Sequence, residues 1–166
     1  MLELEGLVIM VPRRGAQVAQ ITEKSMSDVL EVRCALDVLA VELACERITT
    51  EAVEELREAC REFEKATTTK DVHVIAKADV AFHDIIFKAA GNPRLTQMIN
   101  NLAEQMYRYR FEYIKDESQH QMLVKEHCLI CESIEKRDVE GAKEAIRKHI
   151  ENQENSIIRQ IRLEKR

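Results

Sequence analysis

From Thr22 to the C-terminus, apolar residues recur every three or four positions, the period of helices that bury one face. Before Thr22 the pattern is different. Gly6-Leu7-Val8-Ile9-Met10-Val11 is an apolar, β-branched run, Pro12-Arg13-Arg14-Gly15 is turn chemistry, and Ala16-Gln17-Val18-Ala19-Gln20-Ile21 alternates. That reads as a β-hairpin with two arginines at its tip. The helical part divides into about six helices: Ser25 to Arg47, Thr50 to Ala66, Lys70 to Ala90, Pro93 to Ile114, Glu117 to Lys136, and a last one capped by Asp138 that runs past Ile161. Thr50 is read as an N-cap, and Gly91-Asn92-Pro93 ends one helix and starts the next. Short connections make successive helices antiparallel neighbours. The expected fold is an all-α antiparallel bundle of about six helices behind a short β-hairpin.

Composition agrees and narrows the function. At 166 residues, with 45% hydrophobic content, the chain can bury roughly 68–70% of its unfolded surface in one core. Four glycines and two prolines exclude turn-dense all-β folds. A net charge of -5 excludes coating nucleic acid by bulk electrostatics. The acidic start and the short apolar run Leu7 to Val11 do not make a signal peptide, and no stretch is long enough to span a membrane, so a cytoplasmic protein is expected. The odd cysteine count (Cys34, Cys45, Cys60, Cys128, Cys131) suits reduced, mostly buried thiols. Cys128-x-x-Cys131 lies inside a helical pattern with no second pair, so it reads as structural.

The informative residues are ionisable groups set in apolar stripes. Asp79 and His83 fall within Ile75, Ala78, Phe82, Ile85, Ile86 and Ala89, one turn apart and about 40° apart in projection, so both face inward. His127 sits between Leu123, Ile130 and Ile134, and His149 is in line with Ala142, Ala145, Ile146, Ile157 and Ile161. On the first helix, Arg33 and Asp37 run alongside Val29, Leu36, Leu39 and Leu43. A single inward histidine reads as a hydrogen-bonded core residue. Three of them with an inward aspartate, on three helices, supply donors suited to a divalent transition metal. His73 lies near a helix start and His120 two turns before His127; His120 is kept as a reserve candidate.

These residues carry a resemblance. Leu4-Glu5-Gly6-Leu7-Val8, Pro12-Arg13-Arg14-Gly15 and Val18 resemble the wing hairpin that ends the winged helix-turn-helix of GntR-family repressors. The rest of the chain resembles their FadR-like C-terminal ligand-binding domain, the FCD domain. The matching residues are Val32-Arg33 with an acid four positions on, Asp79-x-x-Phe82-His83, Gly91-Asn92-Pro93, Glu126-His127 and His149. The resemblance implies that residues 1–21 are the remnant of a winged helix-turn-helix and residues 22–166 an effector- and metal-binding domain. It implies one divalent ion at Asp79, His83, His127 and His149, with zinc, nickel, manganese and iron all suited to that donor set. It further implies a cytoplasmic homodimer that engages operator DNA only through a complete winged-helix domain, of which this chain carries the wing. Asp37 departs from the family pattern, which usually has Glu there.

A cavity holding a divalent ion and the Arg33 guanidinium is short of anionic charge, since Asp37 neutralises Arg33 only in part. The expected effector is therefore a small carboxylate that chelates the ion and accepts a bidentate bond from Arg33, with Arg108 or Arg110 adding a contact. The alternative is a structural Arg33–Asp37 ion pair with waters completing the metal shell. Two other functions compete with the sensor, a metalloenzyme and a plain helical interaction module. The enzyme reading lacks a separate general base or nucleophile beside the ligands, and only Glu117-x-x-His120 has the spacing of a di-metal helix motif.

Overall fold

The computed structural model describes residues 8–164. The hairpin pairs β1 (Val8–Val11) with β2 (Gly15–Val18) in antiparallel register, Val11 opposite Gly15 and Val8 opposite Val18. The turn places Arg13 (φ 65°) and Gly15 (φ 80°) in left-handed backbone. β2 ends at Val18, before the end of the alternating run to Ile21, and the part of the wing signature before Val8 lies outside the described residues.

Seven helices follow among the described residues. They are α1 (Glu23–Arg47), α2 (Thr50–Thr67), α3 (Val72–Ala90), α4 (Pro93–Asn100), α5 (Ala103–Ile114), α6 (His120–Glu135) and α7 (Val139–Glu164). A 3-10 turn at Glu117–Gln119 leads into α6. None is long and apolar enough to cross a membrane. Side-chain caps set most starts. Thr22 and Ser25 form a reciprocal capping box on α1. Thr49, rather than Thr50, caps α2, and Asp71 caps α3. Gly91 closes α3 in left-handed backbone (φ 59°), and Asn92 with Pro93 opens α4. The expected fourth helix is two: the chain breaks at Asn101–Leu102, where α5 begins without a side-chain cap.

Five helices form a closed ring in the order α1, α3, α2, α6, α7 and back to α1, with α5 laid across α3 and α7. The ring's interior is the core, built from Leu30, Phe63, Phe82, Ile86, Leu123, Ile130 and Ile146 among others. On α1 the buried side differs from the sequence reading. Met26, Leu30, Arg33, Asp37, Ala40 and Ala44 face inward, while Leu39 is 40% exposed. All five cysteines are free, and the Cys60 and Cys128 sulfurs lie 3.4 Å apart between α2 and α6.

Arginines close two helix C-termini. Arg47 donates to the carbonyl of Ala90 (2.7 Å). Arg137, in left-handed backbone (φ 55°), donates to the carbonyls of Cys45 (2.7 Å), Glu46 (3.0 Å) and Ile48 (2.8 Å), tying the α6–α7 turn to the end of α1. These carbonyls have no partner within their helix, and the guanidinium also complements the helix dipole. Arg137→Ala should therefore lose about 1–2 kcal/mol of stability, a fall of roughly 2–8 °C in Tm. A thermal melt unchanged within 1 °C would show that water replaces the guanidinium without loss.

Candidate metal centre

The ring brings four side chains from three helices to one point. Ligand atoms of Asp79 and His83 (α3), His127 (α6) and His149 (α7) all lie within 4.8 Å of one another. Among the described residues no other group of three or more histidines, cysteines or acids is placed to hold a metal. The three imidazole centroids form a nearly equilateral triangle with sides of 5.3–5.4 Å. All four residues are at most 1% exposed. The helical spacing explains Asp79 and His83: one turn apart, both sit on the side of α3 that faces the ring's interior.

The donor atoms converge without satisfying one another. His127 Nε2 lies 3.0 Å from Asp79 Oδ1 and His83 Nε2 lies 3.9 Å from it. Even so, while Asp79 Oδ2 is ion-paired with Arg110, Asp79 Oδ1, His83 Nε2 and both ring nitrogens of His127 have no hydrogen-bond partner. Buried polar atoms left unpaired are costly, and native interiors rarely keep several together. A divalent cation at the common centre is the partner that suits one carboxylate and three imidazoles.

Neighbours set orientation and charge. Phe82 stacks on His127 at 4.2 Å with planes 9° apart, and Phe63 packs on the same ring at 4.2 Å. His149 is held by its Nδ1, which donates to Glu126 Oε2 (2.7 Å), and the other oxygen of that carboxylate accepts from Asn152 (2.6 Å). A carboxylate on one imidazole nitrogen fixes the tautomer and turns the second nitrogen's lone pair to the metal side. That second nitrogen, Nε2, accepts from the Gln153 amide at 3.0 Å. Burial alone would raise the Asp79 carboxyl, yet the Arg110 guanidinium against it, with His127 and His83, holds it well below the ordinary carboxylate range. Burial drives His83 well below the ordinary histidine range and lowers His127, against the pull of Asp79. An ionised aspartate with neutral imidazoles is the protonation state that metal binding requires.

A cavity of about 390 Å³ opens beside His83 and is lined at that end by Arg33, Asp37 and Arg110. Arg33 donates through Nε to Asp37 (3.0 Å) and through Nη1 to Gln153 (2.9 Å), so the ion pair of the alternative reading is present. Its Nη2 is buried without a hydrogen-bond partner. Of the two α5 arginines, Arg110 is buried against Asp79, whereas Arg108 donates to the carbonyl of Ala19 at the foot of the hairpin. His120 is not part of the centre: its Nε2 bonds the Ile114 carbonyl at 2.8 Å. His73 packs on Phe111 at the outer surface of α3. The supporting roles of Glu126, Asn152 and Gln153 were not read from the sequence. Glu126 could have been found, because it falls at helical spacing between Leu123 and Ile130.

Known proteins place this architecture. The FCD domain profile matches residues 28–152. The chain is 25% identical to the HTH-type transcriptional regulator YdhC of Bacillus subtilis, over 90% of this chain and 67% of that protein. It is also 25% identical to the HTH-type transcriptional repressor RspR of Escherichia coli, over 96% of this chain and 69% of that protein. The solved structure of E. coli McbR/YncC superposes with a TM-score of 0.83 at 20% identity, covering 96% of this chain and 80% of that one.

Arg110 is the buried counter-charge of Asp79, and removing one member of such a pair strands the other. Arg110→Met, which keeps the bulk, should lower the stability of chelator-treated protein by about 3 kcal/mol, or roughly 6–12 °C in Tm. A loss of less than 1 kcal/mol would mean that Asp79 does not depend on Arg110 for its charge.

Proposed function

Since the chain belongs to the FCD domain family of GntR-type transcriptional regulators, we propose that it is a metal-dependent effector domain that senses a small carboxylate. FCD domains bind effectors in GntR regulators, and the family is one of transcriptional regulators rather than enzymes. The observation that carries the proposal is the junction of two features. Four buried ligand atoms converge, and the residue that carries one of them, His83, lines a cavity that Arg33, with an unpartnered Nη2, and Arg110 also line.

Asp79, His83, His127 and His149 are the residues that would hold the ion. Gln153, which donates to His149 Nε2, is the protein group that gives way to it. A bound divalent cation supplies Lewis acidity and open coordination positions for an anionic ligand. The chain's own residues do the rest. Glu126 keeps the His149 tautomer, and Phe63 and Phe82 hold the His127 ring in place. Arg33 Nη2 donates to a carboxylate arriving from the cavity, in a site where a charge-assisted bond is strong because water is scarce.

Such a ligand would draw together α1 through Arg33, α3 through His83 and α5 through Arg110. Both α1 and α5 lead to the hairpin. Helix α1 starts five residues after β2, and Arg108 of α5 bonds the Ala19 carbonyl. The hairpin is on this reading the wing of a winged-helix reader, and effector binding reaches it through those two helices.

Metal analysis of purified protein should find one divalent ion per chain. His127→Ala should reduce it well below stoichiometric and lower Tm with it, because ligand loss uncouples metal binding from folding. Full occupancy in that variant would contradict the assignment. For the effector, calorimetry on metal-loaded protein should show Arg33→Ala weakening the best carboxylate at least tenfold, the scale of a lost charge-assisted bond. An unchanged affinity would return Arg33 and Asp37 to a purely structural ion pair.

A further inference from the structure

The lining of the effector cavity is divided, and the division selects among acids. At the inner end stand Arg33, Arg110 and His83. The walls are mostly apolar, Leu36 from α1, Val80 and Phe87 from α3, Ile99 from α4, and Leu102 and Met106 around the start of α5, with Asn100 and Tyr107 as further polar groups. Toward solvent the cavity is edged by Asp84 and Glu104, both exposed. Among the described residues, the only lysine or arginine side chains lining it are Arg33 and Arg110. Both are already engaged: Arg33 with Asp37 and Gln153, and Arg110 with Asp79. The unpartnered donor that remains there on Arg33, Nη2, is matched to a single carboxylate.

We propose that the effector is an amphipathic monocarboxylate, with its carboxylate at the Arg33–His83 end and a compact aryl or branched-alkyl body against the apolar walls. The proposal rests on the carboxylate-sensing reading above and narrows it to a chemical class. A di- or tricarboxylate would carry a second charge outward to Asp84 and Glu104, where no cation receives it and like charges repel. A sugar acid would set most of a row of hydroxyls against Leu36, Val80, Phe87 and Ile99, which return no hydrogen bonds, and Asn100 and Tyr107 are too few to replace the water that the row loses. An aryl or branched-alkyl body instead removes its own apolar surface and that of the walls from water. At about 390 Å³ the cavity is near the small end of ligand pockets, with room for one ring or short branched chain beyond the carboxylate.

The test is calorimetry on the full chain loaded with zinc, titrated with benzoate, phenylacetate and 4-methylpentanoate, and with acetate, malate, citrate and gluconate. The best of the first three should bind at least tenfold more tightly than every member of the second set. Asp84→Asn with Glu104→Gln should raise citrate or malate affinity severalfold and leave the best monocarboxylate unchanged. Phe87→Leu should weaken the best aryl or alkyl acid severalfold and leave acetate unchanged, with a circular-dichroism melt checking that the variant folds. Citrate, malate or gluconate binding tightest overturns the amphipathic class while leaving carboxylate sensing in place. An unaltered preference in the Asp84/Glu104 variant overturns the role of the acidic rim. No acid of either set binding below millimolar overturns the carboxylate reading and this inference with it.

Discussion

A carboxylate with no access to water sits at the centre of this bundle, and the surrounding structure is arranged to keep it charged. Asp79 is fully buried, with three imidazoles and one guanidinium around it. An isolated ionised carboxylate in such a place would be prohibitively costly, so its neighbours have to supply opposite charge and directed donors. Arg110 supplies part. His83 Nε2 and His127 Nε2 both lie near the Asp79 carboxylate without a hydrogen-bond partner, and a cation accepting one lone pair from each neutral ring completes the arrangement.

The ring topology follows from that requirement as much as from hydrophobic burial. No single helix could carry the centre. α3 gives two ligands a turn apart, α6 and α7 give one each, and α2 contributes Phe63 to fix a ring. Hydrogen bonds run from Asn152 through Glu126, His149 and Gln153 to Arg33, so the centre and the cavity share one hydrogen-bonded network. The same side chain that bonds His149 also bonds Arg33. Whatever engages one side of Gln153 therefore alters the hydrogen bonding on its other side.

Much of this was legible in the sequence, and the parts that were not have identifiable reasons. Asp79, His83, His127 and His149 stood out because each interrupts an apolar period, and only burial with a partner makes that tolerable. The break between α4 and α5 was invisible, because neither Gly nor Pro marks Asn101–Leu102 and the apolar spacing continues across it. The inward side of α1 was assigned from its large leucines. Its apolar residues are spread around the circumference, and the small Ala40 and Ala44 are what the packed neighbours accept, leaving Leu39 exposed. Arg110 could not be separated from Arg108 by spacing alone, since either could turn inward until α5 is placed against α3 and α7. Glu126 falls at helical spacing between Leu123 and Ile130, but its partner His149 lies 23 residues on, a contact that no local pattern records.

Anomalous diffraction at the zinc edge, from crystals grown with equimolar zinc, tests the central claim most directly. One strong peak per chain is expected, with His83, His127 and His149 nitrogens and an Asp79 oxygen about 2.0–2.2 Å from it. No peak at that position, or a peak only elsewhere, such as at the Cys60–Cys128 thiols, would contradict it.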